Sequence, residues 1–438
     1  MTIPRGWRSR SLIATGLLGA VVSTVLVASS GEAAEQGDRP RAQSSAEWTG
    51  TWAAAVTRGN AAGLSLTGFN NQSLRMLVHT SVGGAKIRIR LSNIGGEKGV
   101  DVGRATVAKP NTATPQLSDV EAGSVRELRF NGSPTATIHQ GAELLSDPID
   151  MRLHDEQDIV VSVYFPSATG LTTWHQTAMQ NSFLGAGDVA AAAGSEGYTT
   201  TLNNKFFLSG VDVLREDSAG TVGVLADSLA DGHGTTFNAN LRWPDQLADR
   251  LSKVKYGDVP GVLNFGLGGS RLNHEGPEPG DGQFPGNFAL GPNALARMNG
   301  DVFSETGLRT VILDLGINDI WMNGEPADKI IDSLRQINQQ ARERGIKVII
   351  ATLGPFNGLT VVGSVWSPEK EATRNAVNAY IRGHSGEFDA LLDVDKILRD
   401  PADPSKVRAE FDPGDHIHPN DAGSKAIADA VPLSLLVR

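Results

Sequence analysis

Three residues in the second half of this sequence are of the types that carry out nucleophilic catalysis. Ser228 directly follows an apolar run and the dipeptide Ala-Asp, and Asp415 and His418 lie three positions apart near the end of the chain. A serine hydroxyl becomes a nucleophile when a base takes its proton, and an imidazole oriented by a carboxylate is such a base. A serine at a strand end is also a common turn or helix-capping residue, so Ser228 is a candidate only in combination with the other two.

Two further segments contain groups that can donate hydrogen bonds to a negative charge. Residues 264–270 read Asn-Phe-Gly-Leu-Gly-Gly-Ser, and glycines such as Gly268 and Gly269 let a backbone N–H approach a ligand closely. The spacing is not G-x-G-x-x-G, which argues against a dinucleotide-binding loop. Asn318 follows another apolar segment; its amide can donate to an oxyanion or cap a turn or a helix.

A metal site is the rival interpretation of the last group. His416 and His418 stand beside acidic residues and could ligate zinc, but the sequence indicates no distant third ligand. The chain contains no cysteine, which excludes thiol catalysis and zinc–thiolate sites. His233 is close to Ser228 in sequence, and we interpret it as a residue of the pocket lining or of a polar turn.

The second half of the chain alternates between strand and helix patterns, which would bring these groups together. Apolar segments of buried-strand length occur at residues 222–225, 261–264, 309–315, 346–352 and 391–394, and helical patterns at 243–251, 330–341, 368–382 and 420–431. Pro326 suits the first turn of the second helix, and Gly345 suits the position just after its end. The alternation predicts an α/β domain over residues 218–438, with a parallel sheet covered on both faces. Ligand sites in such sheets lie beyond the carboxyl ends of the strands.

The first half has a β pattern without a convincing helical period. Residues 86–91 alternate strictly between polar and apolar, and further strands are predicted at 74–79, 125–130, 159–165 and 206–214. Residues 47–217 are therefore predicted to form an all-β sandwich domain that precedes the α/β domain.

The N-terminus has the layout of a secretory signal peptide. Arginines at positions 5, 8 and 10 precede an apolar run from 12 to 28, and small residues follow, with cleavage expected near Ala33. A membrane anchor is the alternative, but glycines, serine and threonine interrupt the run, which is marginal for a bilayer span. We therefore predict a signal peptide over residues 1–34 and a polar linker over 35–46, which would make the protein extracellular. A net charge of −10 argues against a nucleic-acid partner.

The four groups, in their order along the chain, resemble the SGNH, or GDSL, esterase/lipase family over residues 221–431. The resemblance implies a flavodoxin-like three-layer α/β fold, Ser228 as the nucleophile, His418 as the base and Asp415 as the carboxylate that orients it. It also implies an oxyanion hole formed by the Ser228 N–H, the Gly269 N–H and the Asn318 amide, with Gly268 as the alternative to Gly269. The usual Gly-Asp-Ser is here Ala226-Asp227-Ser228, and the extra methyl group and narrower range of φ could crowd the turn.

The first half is similar to the β-domain of a secreted bacterial subgroup of this family. The similar segments are residues 48–52 (Trp-Thr-Gly-Thr-Trp), 173–175 (Thr-Trp-His) and 207–212. Trp174 and His175 could reach over the pocket, and Asp227 and His233 are close to the nucleophile, so we regard these four residues as possible substrate contacts.

The sequence therefore predicts a secreted serine esterase or lipase that needs no cofactor or metal. Its partner would be a small-molecule, lipid or carbohydrate ester, with no nucleic acid and no stable membrane insertion after signal cleavage. Acyl-chain length and oligomeric state stay open. The alternatives are an acyltransferase that uses the same acyl-enzyme, a carbohydrate- or surface-binding protein with an inert hydrolase domain, and a metallohydrolase.

Overall fold

The computed structural model describes residues 46–59, 63–114, 117–276, 291–360 and 365–438, and these residues belong to one compact unit. The predicted signal peptide and the linker up to residue 45 lie outside the described residues. Within the described ranges, no helix has both the length and the apolar character needed to cross a bilayer.

The first half forms antiparallel sheets around a shared core. Its strands are β1 (Glu47–Ala53), β2 (Thr57–Arg58), β3 (Gln72–Thr80), β4 (Gly84–Ser92), β5 (Val100–Val102), β6 (Arg104–Ala108), β7 (Arg126–Glu127), β8 (Ala136–Ile138), β9 (Glu143–Leu145), β10 (Ile149–Leu153), β11 (Gln157–Phe165), β12 (Thr173–His175), β13 (Ser182–Ala186), β14 (Tyr198–Leu202), β15 (Lys205–Phe206) and β16 (Leu208–Arg215). A short helix, α1 (Gly63–Thr67), and a 3-10 turn (Ala122–Ser124) interrupt them.

Two large sheets make up most of this region. One has the order β1-β16-β4-β10, with β9 also paired to β4, and the other has the order β14-β13-β3-β11-β6-β7. Smaller sheets are formed by β15-β12-β2 and by β5-β8. Apolar side chains of β3 and β11 in one large sheet and of β4 and β16 in the other belong to the same buried cluster, which is the arrangement of a sandwich. The all-β architecture predicted for the first half is therefore confirmed.

Two strand predictions differ from the structure in detail. The strand predicted at 125–130 is reduced to β7, because the chain turns at Asn131 and Gly132, both with positive φ. The strand predicted at 206–214 is interrupted at Phe207, whose φ is 58°. This residue packs in an aromatic group with Phe69 and Phe165.

The second half is a parallel sheet with helices. Its strands are β17 (Ser218–Ala226), β18 (Val259–Gly266), β19 (Leu308–Asp314), β20 (Lys347–Ala351) and β21 (Ala390–Leu392). Its α-helices are α2 (Ser228–Asp231), α3 (Trp243–Ser252), α4 (Ala294–Met298), α5 (Ile317–Asn323), α6 (Ala327–Glu343), α7 (Pro368–Gly383), α8 (Val394–Leu398) and α9 (Asp421–Ala430). A π-helical turn (Asn299–Phe303) follows α4, and 3-10 turns occur at Ser385–Glu387 and Leu433–Leu435.

The strand order β18-β17-β19-β20-β21 confirms the predicted α/β fold. Numbered within this sheet, the order is 2-1-3-4-5, which is the flavodoxin-like order. The direction of winding reverses between β17 and β19, and the carboxyl ends of the strands at such a reversal form a crevice. The long helix α6 ends before Gly345, whose φ is 70°, as the sequence predicts. Pro326, which is predicted in the first turn, is instead the N-cap residue just before it.

The two halves are in direct contact. The Gly50 N–H of β1 donates to the Thr306 carbonyl over 3.3 Å, and the Val262 N–H of β18 donates to the Ser81 hydroxyl over 2.9 Å. Apolar residues of β17, α3 and α9 belong to the same buried cluster as the sandwich core. The boundary between domains at residues 217 and 218 stays a prediction.

Candidate active site

Ser228 lies just after the end of strand β17, next to the point where the winding of the parallel sheet reverses. Strand β17 is buried from Ala219 to Ala226, and the Asp227 carboxylate accepts from the Leu229 N–H over 3.0 Å, so it caps α2. Ser228 is the first residue of that helix, where a backbone N–H has no acceptor within the helix. Ala226 remains in the extended strand, paired with Gly266 and Asp314, so the narrower φ range of alanine costs nothing at this position.

The chain brings together the three residues predicted to react. The Ser228 hydroxyl Oγ lies 2.8 Å from His418 Nε2, and His418 Nδ1 lies 2.6 Å from Asp415 Oδ2. The other oxygen of Asp415 accepts from the backbone N–H groups of Ile417 and His418 at 3.1 and 3.0 Å. This carboxylate therefore holds both the ring and the backbone of the histidine.

The environment of Asp415 keeps its carboxylate ionised. Partial burial raises the pKa of Asp415, but the hydrogen bonds and charge of His418 and the Ile417 N–H outweigh that effect, so that the pKa falls to about 2. Because Asp415 accepts at Nδ1, the proton of the imidazole is at that nitrogen, and Nε2 is left as the acceptor that faces the serine. This is the tautomer that a general base requires.

The glycine-rich segment after β18 distinguishes between the two candidate donors. The Gly268 N–H donates to Asp231 Oδ2 over 2.9 Å, so it is already engaged. Gly269 has a φ of 73°, and the Ser270 N–H donates to the Leu267 carbonyl over 2.9 Å, which closes a β-turn with Gly269 in its third position. The geometry thus favours Gly269 over Gly268 as an oxyanion donor.

Asn318 lies in the first turn of α5, at the end of the neighbouring strand β19. Its Nδ2 donates to Asp227 Oδ2 over 2.9 Å and to the Ser270 carbonyl over 3.0 Å, and its Oδ1 accepts from Trp321 Nε1 over 2.7 Å. The Trp321 contact fixes which end of the amide carries the N–H groups. Both N–H groups have acceptors here, so donation to an oxyanion requires that one of these bonds be shared or exchanged.

Two acidic residues behind the serine are buried next to each other. Burial raises the pKa of Asp314 to about 7. Burial, together with the charge of Asp314, raises the pKa of Asp227 well above its ordinary value. Since two neighbouring carboxylates in a dry interior cannot both be ionised at low cost, this pair retains a proton at pH values where an exposed aspartate is charged.

The residues predicted as possible substrate contacts lie in different environments. The His233 ring stacks on the His418 ring at a centroid distance of 5.1 Å, and burial lowers its pKa, which favours the neutral imidazole. Asp227 is buried and bonded to Leu229 and Asn318. Trp174 is buried and stacks on Phe206 at 5.9 Å. His175 is buried and reaches the site through Asp231 rather than by direct exposure. A contact of any of the four with substrate stays a prediction.

Sequence reasoning missed three residues that hold the site together. Asp231 binds both His175 and Gly268, and Asp319 accepts from the Leu272 and Asn273 N–H groups. The buried Arg297 donates to four groups, namely the carbonyls of Ala226 and Phe265, the hydroxyl of Ser270 and the carboxylate of Asp301. Asp231 follows Ser228 by three positions and Asp319 follows Asn318 by one. This closeness in sequence to predicted site residues could have identified both. Arg297 had no such signal, because its partners come from distant segments.

His416 and His418, the two histidines of the rival metal interpretation, each have a separate carboxylate. His416 Nδ1 lies 2.6 Å from Asp412 Oδ2, whereas His418 is bound to Asp415 and Ser228. Over the part of the chain that the structure describes, no group of three or more His, Asp or Glu side chains is arranged to hold a metal ion.

Residues 227–426 match the GDSL-like Lipase/Acylhydrolase family, which confirms the resemblance drawn from the sequence motifs. No curated protein matches the chain.

Several solved structures resemble the chain at low identity. A family two carbohydrate esterase from Clostridium thermocellum is 11% identical, with 86% of this chain and 96% of that chain covered and a TM-score of 0.34. A GDSL-like lipase from Bacteroides thetaiotaomicron VPI-5482 is 12% identical, with 50% and 87% covered and a TM-score of 0.35. An acetyl xylan esterase is 19% identical, with 50% and 100% covered and a TM-score of 0.35. With TM-scores this low, the fold assignment rests on the strand order of the chain itself.

Proposed function

We propose that this carboxylic ester hydrolase cleaves its ester through an acyl-enzyme on Ser228. Residues 227–426, which match the GDSL-like Lipase/Acylhydrolase family, contain this serine. The observation that carries this proposal is the continuous hydrogen-bonded series from Ser228 Oγ to His418 (2.8 Å) and from His418 to Asp415 (2.6 Å). Such a series is the arrangement that activates a serine hydroxyl.

In the acylation half of the reaction, His418 Nε2 takes the proton of Ser228 as Oγ bonds to the ester carbonyl carbon. The carbonyl oxygen becomes an oxyanion, and the proposed donors to it are the Ser228 N–H, the Gly269 N–H and the Asn318 amide. The carbonyl then re-forms, the bond to the alcohol oxygen breaks, and the imidazolium gives its proton to the departing alcohol.

In the deacylation half, water replaces the alcohol. The water oxygen bonds to the acyl carbon while His418 takes one proton of the water. The same donors stabilise the second oxyanion. Collapse of this intermediate breaks the bond to Ser228 Oγ, which recovers its proton from His418, and releases the carboxylic acid. Asp415 remains ionised throughout and stabilises the imidazolium that forms in each half.

The proposal is tested with a fluorophosphonate probe and an activated acetate ester. The wild-type protein should be labelled on Ser228 and should turn over the ester, whereas Ser228→Ala should lose both labelling and about four to six orders of magnitude in kcat. Turnover that persists in Ser228→Ala would assign the nucleophile elsewhere. A wild-type protein that is neither labelled nor active would favour a binding protein with an inert hydrolase domain.

The same assay separates hydrolysis from acyl transfer and addresses the substrate. Products formed with added alcohols should be mainly the free acid for a hydrolase, and mainly a new ester for an acyltransferase. A panel of lipid, acetylated-sugar and small-molecule esters of graded acyl length would identify the substrate class by kcat/KM.

We further propose that the protein is secreted. The support is the arrangement of arginines, apolar run and small residues over positions 1–34. Expression with this segment in place should yield a protein in the medium whose first residue lies near position 34. A full-length protein retained in the membrane fraction would instead favour an anchor.

A further inference from the structure

A buried histidine of the β region contacts the helix that carries the nucleophile. His175, in β12, has Nδ1 2.8 Å from the Ala55 carbonyl, and its Nε2 is 2.9 Å from Asp231 Oδ1 and 3.1 Å from the Thr177 carbonyl. Carbonyl oxygens only accept hydrogen bonds, so both ring nitrogens carry protons and the ring is an imidazolium. His175 and Asp231 therefore form an ion pair between the β region and α2.

The ion pair is inaccessible to solvent, which keeps it from being screened. The exposed fractions of the two side chains are 4% for His175 and 2% for Asp231. Burial lowers the pKa of His175, but the charge and hydrogen bond of Asp231 outweigh burial and the nearby Arg242, so the net shift is upward. Arg242 could compete with His175 for Asp231, but it is bound to Asp245 over 2.7 Å. Asp231 therefore pairs with His175.

The other oxygen of Asp231 reaches the glycine-rich turn, where it accepts from the Gly268 N–H over 2.9 Å. Gly268 and Gly269 are the two central residues of the turn that the Ser270 N–H closes on Leu267. The positive φ of Gly269 is the value that a type II turn requires at its third position.

The orientation of this turn decides where the Gly269 N–H points. Type I and type II turns differ by roughly 150° in the ψ of their second residue, so the central peptide, which carries the Gly269 N–H, faces opposite sides in the two forms. The Gly268 N–H belongs to the preceding peptide, so its bond to Asp231 fixes the residue about whose ψ the central peptide turns.

From these contacts we infer that the His175–Asp231 ion pair is a positioning device for the oxyanion hole, which acts by holding Gly268 so that the Gly269 N–H faces the reacting carbonyl. The inference rests on the proposed function and adds to it a role for the β region. That role is to supply the buried cation that holds the Asp231 side chain in place.

The test removes the pair without leaving an unpaired buried charge. The double variant His175→Leu with Asp231→Leu replaces both groups by apolar side chains, which buried ion pairs commonly tolerate. The Gly268 N–H then loses the acceptor that Asp231 provides. On an activated acetate ester, kcat should fall at least tenfold while KM changes less than about twofold. Loss of a whole oxyanion donor lowers kcat by about 10² to 10³, which sets the upper limit of the expected decrease.

A second readout reports on the tetrahedral state directly. An alkylboronic acid bonds to the serine oxygen as a tetrahedral anion, so its inhibition constant should rise by the same factor as kcat falls. A merely structural role would lower the melting temperature without changing either quantity per active site. All rates are therefore expressed per serine labelled by the fluorophosphonate probe.

Two matched variants complete the experiment. Asp231→Asn removes the charge that pairs with His175 at nearly the same size and leaves one amide oxygen for two donors, so it should lower kcat by at least threefold and raise the boronate inhibition constant by the same factor. His79→Gln changes another largely buried histidine held by two carboxylates, Asp158 and Glu156, and should leave kcat unchanged.

The inference is overturned if the double leucine variant or Asp231→Asn retains wild-type kcat per labelled serine. Either result would leave the proposed function intact, because labelling and turnover of the wild-type protein would still depend on Ser228. A wild-type protein that is not labelled would contradict the proposed function itself.

Discussion

Ser228 Oγ and His418 Nε2 lie 2.8 Å apart although 190 positions separate the two residues in the chain. The serine is placed by the end of β17, and the histidine by the loop that leads into α9. The two segments are also joined next to the site, where Asp421 accepts from the backbone N–H and the hydroxyl of Thr236 at 2.7 and 2.6 Å. The loop between α2 and α3 is thereby bound to the start of α9, and the base is held in reach of the nucleophile.

We expect Asp415→Asn to lower kcat by about 10² to 10⁴, because an amide in place of the carboxylate no longer stabilises the imidazolium of His418. Steady-state kinetics on an activated ester measures this loss. The control is Asp412→Asn, which changes the equivalent partner of the neighbouring His416 and should keep kcat near the wild-type value. Equal losses in both variants would contradict the role of Asp415.

Asn318→Ala should reduce kcat by about 10² to 10³ with little change in KM, since it removes a donor that acts on the oxyanion. Asn338→Ala is a matched control, because Asn338 is also buried and donates to a backbone carbonyl, that of Glu387, over 2.9 Å. It should cost stability but not turnover. A loss of less than tenfold in Asn318→Ala, with circular dichroism unchanged, would remove Asn318 from the oxyanion hole.

Gly269→Ala should lower kcat, whereas Gly345→Ala should not, although both variants should lose a similar amount of stability. Gly269 and Gly345 have φ values of 73° and 70°, so an alanine at either position carries a similar backbone strain, about 1 kcal/mol. A Cβ at Gly345 would meet no atom within 4 Å, and Gly345→Ala should change only the melting temperature. If the two variants have the same kcat, the Gly269 N–H does not contribute to the reaction.

Asp314→Asn should alter how stability depends on pH. The pKa of Asp314 is raised by burial from 3.8 to about 7, so the native state holds a proton that the unfolded chain releases near pH 4. This proton stabilises the fold fully below about pH 4, and that contribution is lost as the pH rises towards 7.

Thermal unfolding between pH 4 and pH 8 measures this effect as the difference between variant and wild type. As the pH rises through this range, the melting temperature of Asp314→Asn should increase relative to that of the wild type. Asp150→Asn, at an exposed acid, should follow the wild-type curve. A constant difference between Asp314→Asn and wild type would mean that Asp314 titrates normally.

Much of the fold was predictable because its signals are local. The helix α6 and the strands β4, β11 and β19 follow from the spacing of apolar residues, which reflects whether one face or both faces are buried. The interruption at Phe207 was not predictable, since it depends on packing against Phe69 and Phe165, which are distant in sequence.

By itself the sequence determined which chemical groups are present and at which strand ends they occur, because residue type and periodicity are properties of short segments. Only the tertiary structure decided which groups meet: that Gly268 is bound by Asp231 while Gly269 is not, that Asp227 and Asp314 are buried side by side, and that His175 of the β region pairs with Asp231. Hydrogen bonds and pKa shifts depend on distances of a few ångströms and on burial, and both are set by segments that the chain brings together only on folding.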